Sequence, residues 1–172
     1  MDLTLRLFTL KIPTCDEPNF EATSSGYKRL ERLLKGKRFK EADSETNKVM
    51  LAVTNRESEG CLRYEDTGNS LEFFELRTID NLWLKYSQGK FGISVQQEIY
   101  ETLGGTKELD LRVWNSFGKK LGWREAGHWI DYNRLNFSLS APTGHLPYIR
   151  FENEHEQARF LARRFRSRNI RF

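Results

Sequence analysis

Apolar residues recur at helical spacing over most of this chain. Tyr27, Leu30, Leu33 and Leu34 share one helix face, with Ser24 or Ser25 placed to cap its start and Gly36 to end it. A second helix is predicted over about 38–55, with Phe39, Ala42, Val49, Met50 and Val53 facing inward. Polar residues with Gly60 and Gly68 make 57–69 a loop. The stripe Ile79, Leu82, Trp83 and Tyr86 predicts a third helix over about 77–88, and Gly89 suits its left-handed C-terminal position. Ser94 and Gln97 form a capping box for a fourth helix that turns Val95, Ile99 and Leu103 inward and stops at Gly104-Gly105. A fifth, over about 108–121, uses Leu109, Val113, Trp114 and Phe117.

The helical period then disappears from 122 to 147, yet Trp123, Trp129, Tyr132 and Phe137 keep the stretch aromatic, and Leu135, Phe137 and Leu139 alternate in a strand-like way. A basic helix over about 154–168 follows, with Phe160, Leu161 and Phe165 on its apolar side. At the other end Leu3, Leu5 and Leu7 alternate before Pro13 and Pro18. The expected fold is all-α: one domain over 24–149, an N-terminal extension over 1–23, a basic C-terminal helix over 150–172, and a long aromatic loop before that helix. The 172 residues allow one core, with 12 Phe, 4 Trp and 6 Tyr to fill it.

Composition narrows the function. The segment 150–172 carries seven Arg against three Glu, which accounts for the whole net charge of +4. The remainder is balanced, which argues against a surface built to wrap nucleic acid. Cys15 and Cys61 match no metal or redox spacing, so a reducing compartment is expected. Asp2, Arg6 and Lys11 interrupt the apolar start, which therefore reads neither as a signal peptide nor as a span.

No phosphate-cradling loop, no nucleophile elbow and no His-Glu-x-x-His helix occurs, and His128, His145 and His155 are scattered. A Cys61–His145 nucleophile pair is disfavoured. Asp43 and Asp80 read as helix-end or ion-pair residues ahead of acid–base catalysts. No catalytic and no metal residue is assigned. The feature that stands out is 122–150, a non-helical aromatic stretch beside arginines, able to offer apolar walls to a flat ligand and cations to an acidic edge. Composition alone favours the plainer reading, in which Trp123, Trp129 and Phe137 cap the helical core. The length of the loop keeps the binding reading open.

Ile79-Asp80-Asn81-Leu82-Trp83 followed by Ser87-Gln88-Gly89-Lys90-Phe91-Gly92-Ile93-Ser94-Val95-Gln96 closely resembles the central signature of the GUN4 family. Three more pieces fall in family order: the stretch from Leu30 to Thr46, Leu121-Gly122-Trp123-Arg124, and Ala141-Pro142-Thr143-Gly144-His145-Leu146-Pro147. Phe39 stands where Trp is common, Ile93 where Phe is common, and Leu71 to Leu76 lacks the usual Pro-Cys pair. Founding cyanobacterial members also carry an N-terminal helical bundle that 26 residues cannot build.

The resemblance implies a helical cup that binds protoporphyrin IX and Mg-protoporphyrin IX, with linear tetrapyrroles as further ligands. The implied role is a non-enzymatic regulator of magnesium chelatase, acting on its large subunit in chlorophyll biosynthesis. The alternative is a tetrapyrrole- or bilin-sensing module without a chelatase role; an unrecognised enzyme stands third. The implied porphyrin-binding residues are Trp123, Arg124, Trp129, Tyr132, Phe137 and Arg150 of the loop, with Met50, Val53 and Leu82 from the cup. His145, in Gly-His-Leu-Pro, reads as a loop anchor ahead of an axial metal ligand. No resident cofactor is implied. A monomer in the cyanobacterial cytoplasm or plastid stroma is expected, with peripheral thylakoid contact through the basic end and no nucleic-acid partner.

Overall fold

The structure, a computed structural model, describes residues 20–63, 73–106 and 108–164; side chains at 20–23, 73–75, 154, 155, 161, 163 and 164 are not described. The expected N-terminal strand, the loop beyond residue 63, Phe165 and the side chain of Leu161 lie outside these residues. Among the described residues six helices follow one another: α1 (Phe20–Lys35), α2 (Phe39–Val53), α3 (Phe73–Ser87), α4 (Ile93–Thr102), α5 (Leu111–Lys120) and α6 (Glu154–Arg164). Between α5 and α6 stand a two-residue hairpin, β1 (Arg124–Glu125) with β2 (His128–Trp129), and a 3-10 turn at Tyr132–Arg134. The fold is all-α, as the periodicity implied.

The helix pattern held while several ends moved. Ser24 and Ser25 lie inside α1, which is described from Phe20 onward, and Phe73 is already within α3, ahead of the expected start near residue 77. The 135–139 alternation forms no strand; Asn136 Oδ1 instead accepts from the Ser138 N–H and hydroxyl, turning the chain. Local side-chain bonding of this kind competes with a ladder.

The first aromatic cluster fixes α2 against α3. Phe39 stacks on Trp83 at 6.1 Å, and Phe91 meets both edge-on at 5.7 and 6.3 Å. Trp83 is fully buried and its indole N–H donates to the Thr46 hydroxyl at 3.0 Å. That hydroxyl in turn donates to the Ala42 carbonyl. A second cluster joins α4, α5 and the loop: Phe117 meets Tyr100 at 5.5 Å, Trp114 at 5.3 Å and Trp123 at 5.7 Å.

The start of α4 differs from the capping box. Gly92 is its N-cap residue, with φ 150°, and no side chain of its own to offer. Asp80, on α3, reaches across, and its Oδ1 accepts from the Ser94 N–H at 2.9 Å. A Cβ at Gly92 would stand 2.7 Å from that oxygen. Gln97 bonds forward to Glu101 instead. The inward face is also rotated: Ile93, Gln96 and Tyr100 are buried, whereas Val95, Ile99 and Leu103 are only partly so. The buried position of Gln96 is the reason, since its amide holds the loop described below.

Replacing Asp80 by Ala should cost about 1–2 kcal/mol of stability through loss of this cross-helix cap, with Asp80→Asn retaining most of it. Urea unfolding of the two variants measures the difference; equal losses would show that capping is not the source.

Candidate functional site

The irregular segment between α5 and α6 is fastened by polar contacts at four places. His145 is buried, with Nδ1 donating to the Leu121 carbonyl at 2.6 Å and Nε2 accepting from the Asn136 N–H at 3.1 Å. Both ring nitrogens are occupied within the protein, so His145 is a loop anchor. The Trp123 indole N–H donates to the His145 carbonyl at 2.8 Å. The Gln96 amide donates to the Gly144 and Pro147 carbonyls at 3.0 and 2.9 Å.

The fourth fastening lies on α2. Asp43 and Asn47 are one turn apart on a helix that is buried on nearly every side. Asp43 Oδ1 accepts from the Tyr148 N–H at 2.6 Å and its Oδ2 from the Tyr132 hydroxyl at 2.8 Å. Asn47 Oδ1 accepts from the Arg150 N–H at 2.7 Å, and its amide donates to the Tyr148 carbonyl at 3.0 Å. On the far side of this stretch Leu62 pairs with Phe151 in an isolated parallel bridge. Asp43 is therefore neither a helix-end residue nor an ion-pair partner at the surface: it sits inside α2 and binds the loop. Burial pushes its carboxyl from 3.8 up to about 7, against the pull of the Tyr148 N–H, the Tyr132 hydroxyl and the Arg150 charge.

The nine expected ligand-facing residues divide into three sets. Trp123, Met50 and Val53 are enclosed in the core, at 1%, 0% and 3% exposure. Trp123 there packs edge-on against Phe117 and Tyr148. Leu82 is partly buried on α3.

A second set surrounds Trp129, which is partly buried, with its ring 5.4 Å from Trp114 and the Arg124 guanidinium 5.5 Å above it. It lies so close to α5 that a Cβ at Gly118 would stand 2.6 Å from its ring. Glycine at 118 is what lets the hairpin dock. The third set is Tyr132, Phe137 and Arg150: Phe137 meets the Tyr132 ring at 5.3 Å, and the Arg150 guanidinium covers it at 4.0 Å. Lys40 of α2 lies 5.7 Å from the Phe137 ring centre.

One residue of the nine also lines an open hollow. Asn115, Ser116 and Lys119 of α5 enclose about 550 Å³ together with Arg124, Glu125, Ala126 and Gly127. Ala126 (φ 48°) and Gly127 (φ 85°) form the two-residue turn of the hairpin, both in the left-handed region that such tight turns require. Gly127 was the signal in the sequence for this turn; the α5 lining gave none, since polar residues on an exposed helix face look alike. Asp43 and Asn47 as loop holders were missed for a similar reason, being polar positions in a helix read for its apolar stripe. Among the described residues no group of three or more His, Cys, Asp or Glu is arranged to hold a metal ion. No helix among them is long and apolar enough to cross a membrane.

A family model described as GUN4-like matches residues 21–163. The chain is 31% identical over 133 residues to the uncharacterized protein ycf53 of Pyropia yezoensis, covering 76% of this chain and 53% of that one. It is likewise 31% identical over 140 residues to a protein of Arabidopsis thaliana named tetrapyrrole-binding protein, chloroplastic, covering 73% and 49%. The chain thus spans about half the length of the curated relatives it matches. Two solved structures share the fold. The ligand-free structure of Arabidopsis thaliana GUN4 has a TM-score of 0.66 at 24% identity, over 82% of this chain and 91% of that one. GUN4 from Chlamydomonas reinhardtii has a TM-score of 0.61 at 26% identity, over 79% and 85%.

Two outcomes follow from the buried titrating groups. With a raised folded value, Asp43 contributes stability that is complete below about pH 3.8 and is lost as pH rises through about 7. Asp43→Asn should therefore flatten the decline in melting temperature between about pH 4 and 7. For His145 burial acts in the other direction, lowering its value from 6.5; its contribution is present above about 6.5 and fades as pH falls through the depressed value. At pH 6 nitrogen NMR should show His145 as the neutral Nδ1–H tautomer, and a charged ring there would contradict the anchor geometry.

Proposed function

This chain belongs to the GUN4-like family, and on that premise we propose that it binds a tetrapyrrole, on the irregular segment between α5 and α6, as a regulatory protein. The ligands are protoporphyrin IX and its magnesium complex, with linear tetrapyrroles as further candidates. The partner is the large subunit of magnesium chelatase, in chlorophyll biosynthesis. The Arabidopsis relative's name supports the ligand class.

One observation in the structure carries the reading. Trp129 and Tyr132 are only partly buried, and each has an arginine guanidinium over its ring, Arg124 and Arg150 respectively. A flat apolar disc with carboxylates on one edge uses both kinds of surface. The ring replaces the guanidinium on the aromatic face, and the displaced guanidinium takes a carboxylate, a stronger partner than a π-face. Covering about 300 Å² of the disc contributes about 7–8 kcal/mol gross at 25 cal/mol per Å². Loss of ligand freedom and ordering of the loop offset several of these. Binding in the micromolar range is the result, which suits a protein that must also release its ligand.

The cover also has a means of moving. Tyr132 is held to α2 by its hydroxyl on Asp43, a contact that water can replace, and not by enclosure. Trp123, Met50 and Val53 support this surface from below. On this reading they set the height of the segment, and their substitution acts through folding.

Adding protoporphyrin IX should quench tryptophan fluorescence and shift the Soret band with a midpoint in the micromolar range. Trp129→Ala should weaken binding at least tenfold, about 1.4 kcal/mol or more, with the helical circular dichroism unchanged. Spectra that stay fixed at tens of micromolar ligand would end the pigment reading.

A further inference from the structure

The hollow between α5 and the hairpin has features that packing does not explain. Its two cationic side chains are Lys119 and Arg124, and its one carboxylate, Glu125, is engaged by Arg134 at 3.1 Å. Lys119 has no ion-pair partner among the described residues. The stem of Arg124 passes α5 at Gly118, where a Cβ would stand 3.2 Å from Cγ, and its guanidinium lies over the Trp129 ring. One terminal nitrogen donates to the Gly127 carbonyl, which ties the guanidinium to the hairpin turn.

Its Nε–H is shielded from solvent and has no acceptor. Arginine cannot shed its proton, and a desolvated donor left without a partner is costly. Trp114 does not line the hollow; its ring packs on Trp129 behind it. The Arg124 guanidinium is a donor only, so the partner its Nε–H lacks is an acceptor. A rigid, planar, positively charged donor beside a second cation matches a carboxylate or phosphate.

We propose that this hollow is an oxyanion site, taking a carboxylate or phosphate group on the Arg124 guanidinium with the Lys119 ammonium as second cation. A free small anion supplies that group, or an acidic side arm of a flat ligand lying on Trp129 does, because Arg124 belongs to both places. The Glu125–Gly127 turn is the element that shifts to admit it, since it forms one wall and contains the carbonyl that Arg124 already holds.

The test uses the full chain labelled with nitrogen-15. The Arg124 Nε–H resonance and the Gly127 amide are followed during titration with inorganic phosphate and with succinate, against sodium chloride at matched ionic strength. Phosphate or succinate should give a saturable shift that chloride does not, and Lys119→Gln, an exposed substitution, should weaken it at least threefold. Arg124→Gln should abolish saturation at the Gly127 amide. A parallel arm compares metal-free protoporphyrin with its dimethyl ester. If Lys119→Gln weakens the diacid at least threefold and leaves the ester unchanged, the pigment supplies the oxyanion. If only the small anions saturate, the ligand is a free anion. No saturable shift, together with equal effects of Lys119→Gln on diacid and ester, overturns the site. Loss of all porphyrin binding with phosphate saturation intact ends the pigment reading and leaves this site standing.

Discussion

A carboxylate stripped of water inside a helix is unfavourable unless its oxygens find donors. Asp43 and Asn47 impose that constraint on α2, which is buried on nearly all sides. The donors come from one place, the chain between Tyr132 and Arg150: a tyrosine hydroxyl and two backbone N–H groups. The segment cannot leave as a whole without orphaning buried polar atoms on α2. The contacts are also few and specific, so a part of it can swing while the rest stays fixed. Gln96 does the same from α4 for the Gly144–Pro147 turn, and His145 closes the circuit by joining Leu121 to Asn136. A stretch with almost no regular secondary structure is thereby given a defined course.

That arrangement separates support from surface. Trp123, Tyr100 and Phe117 form a closed aromatic core beneath the segment. Above it Trp129, Tyr132 and Phe137 stay partly open, each with a cation near its ring. The hairpin reaches its place because Gly118 allows an indole to lie directly on α5. The burial that distinguishes Trp123 from Trp129, six residues apart, comes from which side of the hairpin each occupies. Both are tryptophans in one aromatic stretch, and nothing in their local sequence separates them.

The helices were legible because their apolar spacing is a local property. Phe39, Ile79, Trp83, Trp114 and Phe117 all lie in the core, where the periodicity placed them. Helix ends were less legible where the cap comes from elsewhere: α4 starts on an oxygen supplied by Asp80, fourteen residues earlier. The wrong inward face of α4 has the same origin. A glutamine is favoured inside only when the carbonyls of a distant turn are waiting for it.

The sequence by itself determined the all-α character, the order of helices, the irregular aromatic segment and the family. Each of these is written in spacing or in contiguous residues. Tertiary structure alone decided which aromatics are core and which are surface, that Asp43 binds a loop, and that Arg124 faces a hollow with a donor unused. Such outcomes depend on hydrogen-bond partners up to about a hundred residues apart in the chain. A buried polar group is stabilised only by the particular acceptor or donor that the finished fold brings to it, and residue type alone does not name that partner.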